Sequence, residues 1–179
     1  MKLTTLTHTK HMPNSALVAQ IVELMTARGL KLALAESLTG GALASAMVDV
    51  PGASQMLLGS IVAYDTSLKS AQLGFDSALL ERVGAVDREV ALQMASGARA
   101  RLAAAAGISP DHVIGLSCTG VAGPDIQDGK PVGLVFIATD APGGPRAQEF
   151  QLAGTRAEIR SATVRTALRL LADQLDLRH

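Results

Sequence analysis

The segment Ala35-Glu36-Ser37-Leu38-Thr39-Gly40-Gly41 carries the residue types best suited to chemistry in this chain. A short apolar run breaks there into hydroxyls and glycines and then restarts as a helical pattern. A strand that stops at a small loop before a helix leaves the first helical N–H groups without partners, so an anion or a developing oxyanion can be received there. Ser37 stands at that point as a candidate nucleophile. Taken alone, Ser37 or Thr39 reads more simply as the cap of the next helix, and other residues must decide.

Elimination narrows the possible base. Of the four histidines, His8 and His11 lie in a polar N-terminal arm, His112 sits beside a Pro-Asp turn and His179 is the last residue. A Ser-His-Asp hydrolase is disfavoured on that distribution. No paired Cys/His spacing suits zinc, and Asp125 with Asp128 do not make a metal site, which favours chemistry without a metal. The stretch from Gly123 to Lys130 imitates a phosphate-binding P-loop. It places five residues between Gly123 and Gly129 where four are needed, and Pro131 where a metal-binding hydroxyl belongs.

A lysine remains. To act as a base Lys69 must shed its proton near neutral pH, although a free lysine titrates around 10.4, so burial or positive potential must lower its pKa by roughly three units. Lys69 falls in the first turn or so of a helix that Asp65 can cap, where the positive helix end disfavours protonation. Asp65 itself opposes that effect if it points at the amine. Tyr64, at the preceding strand end, is placed to hydrogen-bond the lysine or a substrate. The competing reading is an ordinary surface lysine on an amphipathic helix. Tyr64 and Lys69 are five apart, not the four that a short-chain dehydrogenase needs to put both on one helical face, and no Gly-x-Gly-x-x-Gly opens the chain.

The elements that must position these groups alternate. A polar arm over 1–14 precedes a helix from about Ser15 to Arg28, stopped by Gly29, then a strand from Lys31 to Ala35 and a helix from about Gly41 to Val48. Leu57 to Tyr64 reads as a strand, and Asp87 opens a long helix ending at Ala106-Gly107. Val113 to Cys118, Leu134 to Thr139 and Arg146 to Leu152 read as strands, the last two joined through Gly143-Gly144 as a hairpin. A final helix runs from Arg156 to about Leu175, where Thr155 and Glu158 have the spacing of a capping box. The alternation predicts one α/β domain over 15–179: three α/β/α layers on a mostly parallel sheet carrying antiparallel edge strands.

Composition bounds the partners. A chain of 179 residues, 48% apolar, can bury a core without disulfides, and its single cysteine, Cys118, suits a reducing cytoplasm. Sixteen basic residues balance sixteen acidic ones and aromatics make up 2%, which leaves neither a field nor a stacking platform for nucleic acid. No stretch reaches the apolar length of a membrane span or a signal peptide. A small ligand is the expected partner.

With Tyr64 and Lys69, the Ala35–Gly41 motif, Gly84-Ala85-Val86, Thr119-Gly120-Val121-Ala122-Gly123-Pro124, Lys130-Pro131-Val132-Gly133 and Gly154-Thr155-Arg156 make an ordered set. It resembles the C-terminal domain of the competence-damage protein CinA, over about Ser15 to Leu175. The enzymatically active members of that family are nicotinamide mononucleotide (NMN) deamidases, also called PncC. The resemblance implies a cofactor-free serine amidohydrolase of pyridine nucleotide salvage, with Ser37 as nucleophile, Lys69 as its base and Tyr64 assisting. It further implies substrate contacts from Glu36, Thr39, Gly40, Gly41, Thr119, Gly120 and Arg156, and a homo-oligomer. Loop amides near Thr39 to Gly41 or Gly120 are the expected oxyanion donors, and Arg156 could meet the phosphate of a mononucleotide. The plainer alternatives are a structural carboxylate for Glu36, a turn residue for Thr119 and a solvated Arg156. Leu38 stands where the family usually has cysteine, and Ala104 to Asp111 resembles an insertion. The chain also resembles the stand-alone form, without the molybdopterin-binding-like domain of full-length relatives. A reading from another class is a non-catalytic nucleotide-binding module related to competence and DNA damage.

Overall fold

The computed structural model describes residues 14–177; the N-terminal arm falls almost entirely outside them. Helix α1 (Asn14–Ala27) turns Leu17, Val18, Ile21, Val22 and Met25 inward and ends before Gly29, whose φ of +64° a residue with a side chain rarely adopts. Strand β1 (Lys31–Glu36) follows, buried at every position after Lys31. Next come α2 (Ala42–Val48), β2 (Leu57–Val62), α3 (Thr66–Leu73), α4 (Ser77–Val83) and α5 (Arg88–Ala106). The chain closes with β3 (Val113–Gly120), β4 (Leu134–Ala141), β5 (Gly144–Gln151) and α6 (Arg156–Gln174).

The five strands form one sheet in the order β2-β1-β3-β4-β5. β2, β1 and β3 run parallel, whereas β4 lies antiparallel to β3 and β5 antiparallel to β4. Leu32 and Leu34 of β1 pack with α1, α2 and α6 in one core cluster, while Ala33 and Ala35 pack with α3, α4 and α5 in another. A strand covered by helices on both faces has no polar side, which is why β1 reads as an apolar run and not as an alternation. The result is the expected three-layer α/β/α domain.

Close approach on the α5 face depends on missing side chains. A Cβ on Gly115 of β3 would lie 2.2 Å from Ala95 O, and one on Gly97 of α5 would lie 2.2 Å from Leu73 O. These two glycines let α5 settle onto β3 and let α3 settle onto α5, and α3 carries Lys69. Three helices start on aspartate caps: Asp65 accepts from Ser67 N–H, Asp76 from Ala78 N–H and Asp87 from Glu89 N–H.

Boundaries shift where pairing overrides local pattern. β3 continues past Cys118 because Thr119 and Gly120 pair with Phe136 and Val135, and β2 ends at Val62, short of Tyr64. Helix α4 was not expected; seven residues with Leu79 alone buried give too short a period to read. The segment Ala104 to Asp111 lies at the amino end of β3, across the sheet from the carboxyl ends of the parallel strands.

Candidate active site

Parallel strands β2, β1 and β3 all end on the same side of the sheet, and the connections leave β1 and β2 for opposite faces. Ligands of open α/β sheets bind in the crevice outside such a point. A cavity of about 360 Å³ opens there, lined among others by Ser37, Leu38, Tyr64, Lys69, Gly120 and Arg156. The fold therefore joins an alcohol and an amine that are 32 positions apart.

Ser37 is the first residue beyond β1. Its N–H completes the ladder to Cys118 O at 3.1 Å, and its carbonyl accepts Gly40 N–H at 3.1 Å, closing a tight turn. Lys69 is only 1% exposed, which rejects the surface-lysine reading. Its Nζ donates to Ala63 O at 2.8 Å and to Tyr64 O at 3.4 Å. Burial pushes its pKa down to about 8, against an opposing pull from the Asp65 carboxylate. A lysine in this state can lose its proton near neutral pH at lower cost than a solvated one.

The expected helix-end anion site is occupied from within. The Glu36 carboxylate is fully buried and accepts N–H groups of Gly41 at 2.9 Å, Leu43 at 3.0 Å and Ala44 at 2.9 Å. It also accepts the hydroxyls of Thr39 at 2.8 Å and Ser60 at 3.0 Å. Glu36 thus supplies the negative charge that the start of α2 attracts, and it is a structural carboxylate with no capacity left for a substrate.

Other expected contacts sort the same way. Thr39 is fully buried between Glu36 and the Cys118 sulfur, 3.1 Å away. Thr119, also fully buried, donates to Ala85 O at 2.7 Å and so holds the Ala85-Val86 wall of the cavity. Gly40 and Gly41 shape the turn with φ of +60° and +94°, outside the cavity lining. Thr39, Thr119, Gly40 and Gly41 build the site without lining it: both hydroxyls and both glycine N–H groups bond within the chain. Cys118, its pKa raised by burial to about 12, stays a thiol.

Gly120 keeps its place. Val121 N–H bonds Leu134 O across to β4 at 2.9 Å, and antiparallel pairs alternate, so the Gly120 N–H points instead toward β1. There the last ladder bond is the one from Ser37, and the chain has turned away. A Cβ on Gly120 would meet Leu134 O at 2.7 Å.

Arg156 begins α6 inside the predicted capping box, in which Glu158 accepts the Thr155 N–H at 2.7 Å. Its Nη1 donates to Gly123 O at 2.6 Å and its Nη2 to the Tyr64 hydroxyl at 2.5 Å. The Tyr64 ring is therefore tied to Arg156, and only its backbone meets Lys69. Asp125 and Gln127 line the cavity too. The residue pattern did not single them out for this, because they come from a loop that only the fold brings over β1. Leu38 is buried and lines the cavity, filling space without polar function. Among the described residues no cluster of three or more His, Cys, Asp or Glu side chains could hold a metal ion, and no helix is long and apolar enough to cross a membrane.

Sheet order, crevice and buried lysine define a single α/β domain with a serine-lysine cavity at its switch point. The CinA C-terminal domain family matches residues 14–175, and the chain belongs to that family. A putative competence-damage inducible protein of Desulforamulus reducens is 42% identical over 154 residues, which cover 86% of this chain and 36% of that protein. A CinA-like protein of Gloeobacter violaceus is 44% identical over 155 residues, 85% of this chain and 34% of the other. The chain thus spans about a third of the length of these curated relatives. The crystal structure of the competence/damage inducible protein CihA from Agrobacterium tumefaciens superposes with a TM-score of 0.81 at 36% identity, over 94% of this chain and 99% of that one. A CinA superfamily structure from Escherichia coli gives 0.84 at 29% identity, over 97% and 95% of the two chains.

Proposed function

We propose that the chain is a serine amidohydrolase that converts the carboxamide of nicotinamide mononucleotide to the acid and releases ammonia. The observation that carries this reading is Lys69: a fully buried amine with a lowered pKa, in the same cavity as Ser37 and the Gly120 amide. Ser37 Oγ attacks the carboxamide carbon as Lys69 Nζ takes the hydroxyl proton, forming a tetrahedral oxyanion received by the Gly120 N–H. Collapse breaks the C–N bond and Lys69 returns the proton to departing ammonia. A water molecule then attacks the acyl-serine ester, with Lys69 again the base, freeing nicotinate mononucleotide and Ser37.

The rest of the cavity suits such a ligand. Arg156 offers a forked cation to a phosphate at the start of α6, and Asp65 and Asp125 face a molecule whose pyridinium ring is a fixed cation. The test is ammonia release from NMN by the purified protein, with Ser37→Ala and Lys69→Ala as controls. Turnover abolished in both supports the reading; tight NMN binding without ammonia from the wild type refutes it in favour of a non-catalytic binding module.

A further inference from the structure

Arg160 lies on α6 one turn beyond Arg156, and its side chain crosses to the turn that carries Ser37. Nε donates to Leu38 O at 2.9 Å and Nη2 to Thr39 O at 2.8 Å, both partly buried. The turn is Ser37 to Gly40, and Gly40 at φ +60° closes it by donating to Ser37 O. All three carbonyls of Ser37, Leu38 and Thr39 are thus held, two of them by a single guanidinium. In a planar trans peptide the N–H opposes the C=O, so fixing these carbonyls also fixes the following amides and the backbone from which the Ser37 hydroxyl projects.

Among the described residues, Arg160 is the α6 side chain that hydrogen-bonds this turn. Glu36 accepts the Thr39 hydroxyl and the N–H groups at the start of α2 from below; Thr39 O also receives Ala42 N–H at 3.2 Å, whereas Leu38 O is held from α6 by Arg160. Lysine cannot substitute fully, because a point ammonium lacks the rigid fork that spans two acceptors.

We propose that Arg160 is a positioning residue: its guanidinium fork, bridging Leu38 O and Thr39 O, holds the nucleophile turn in its reactive geometry. The proposal rests on Ser37 as the nucleophile. A displacement of about 1 Å in such a group costs up to about 100-fold in rate. Arg160 bonds the backbone behind Leu38 but does not itself line the cavity, so its removal acts on turnover rather than on substrate affinity.

The test compares wild type, Arg160→Lys, Arg160→Gln and, as a control on the same helix, Arg165→Ala. Three readouts are taken: kcat and KM on NMN, the rate at which a fluorophosphonate probe labels Ser37 by intact mass, and backbone hydrogen exchange. Expected is a kcat reduced by about 10- to 100-fold in Arg160→Gln, less in Arg160→Lys, with KM within about twofold and Arg165→Ala unchanged. Probe labelling should slow in parallel, and exchange should quicken in the segment 37–44. A KM increase at constant kcat overturns the proposal by making Arg160 a substrate contact. Unchanged labelling and exchange in Arg160→Gln overturn it outright. Wild type that is labelled but releases no ammonia refutes the substrate reading alone, and the labelling ratio then judges Arg160. Wild type neither labelled nor active overturns both.

Discussion

The Nζ of Lys69 donates to the carbonyl of Ala63 at 2.8 Å, so a lysine in the first turn of α3 folds back over the start of its own helix instead of reaching solvent. The contact keeps the amine at the end of β2, in the cavity that Ser37 also lines. Because the base is the neutral amine, kcat/KM should climb with pH along a single limb whose midpoint is about 8. At pH 7 about a tenth of the molecules are then in the active form. Asp65→Asn preserves a capping residue but removes the charge that opposes the shift, so the midpoint should move to lower pH. A rate profile flat through this range, measured by ammonia release, contradicts the assignment.

Stability should rise with pH in the same direction as that profile. Lys69 has a folded-state pKa of about 8 against an ordinary 10.5, so between those values the unfolded chain binds more protons and folding gains as pH rises. Below about pH 8 the buried ammonium costs stability, on the order of 3 kcal/mol. Lys69→Met, which keeps the volume without the charge, should therefore raise the Tm at pH 7, and its advantage should shrink steadily toward pH 10. Denaturation midpoints of the two proteins across that range decide the point. An equal gap at all pH values would mean that Lys69 titrates normally.

Glu36 makes the opposite kind of buried charge, one matched on every side. Glu36→Gln keeps the shape but turns an amide toward N–H groups of Gly41, Leu43 and Ala44 that need an acceptor. The expected loss is about 2 to 4 kcal/mol of unfolding free energy, read from urea denaturation. A loss below about 1 kcal/mol would show that the start of α2 finds water instead.

Much of this architecture was legible along the chain, and the parts that were not share a cause. Asp65, Asp87 and the Thr155/Glu158 pair announce their helices because a cap and its N–H lie within three residues of each other. The apolar periodicity of α1 and α6 and the unbroken apolar run of β1 likewise need no distant partner to be recognised. Ser37, Lys69 and Tyr64 could be nominated by type, yet only folding brings them to one crevice. The destinations of buried polar groups were hidden: Glu36 is completed by Ser60, and Thr119 by Ala85, both far away in the sequence. A residue pattern shows that Glu36 and Thr119 can bond. It does not show which distant groups take up that capacity.

Arg156 offers a test of how the cavity reads its ligand. In the structure its guanidinium holds Gly123 O and the Tyr64 hydroxyl, so the fork is oriented at the rim before any substrate arrives. A phosphate reaching that rim adds charge-assisted bonds, each about 1.5 to 3 kcal/mol for a charged acceptor. Arg156→Lys keeps the charge but loses the planar fork, and the KM for NMN should rise about tenfold or more, with kcat changed far less. Tyr64→Phe removes one anchor of the guanidinium and should raise KM in the same direction by a smaller factor. Nicotinamide riboside, which has the same carboxamide and no phosphate, supplies the discriminating comparison. If Arg156 recognises phosphate, the riboside should be a poor substrate for the wild type and Arg156→Lys should handle it no worse. A penalty of equal size on nucleotide and nucleoside would instead place the role of Arg156 in holding the Gly123 loop and Tyr64 together.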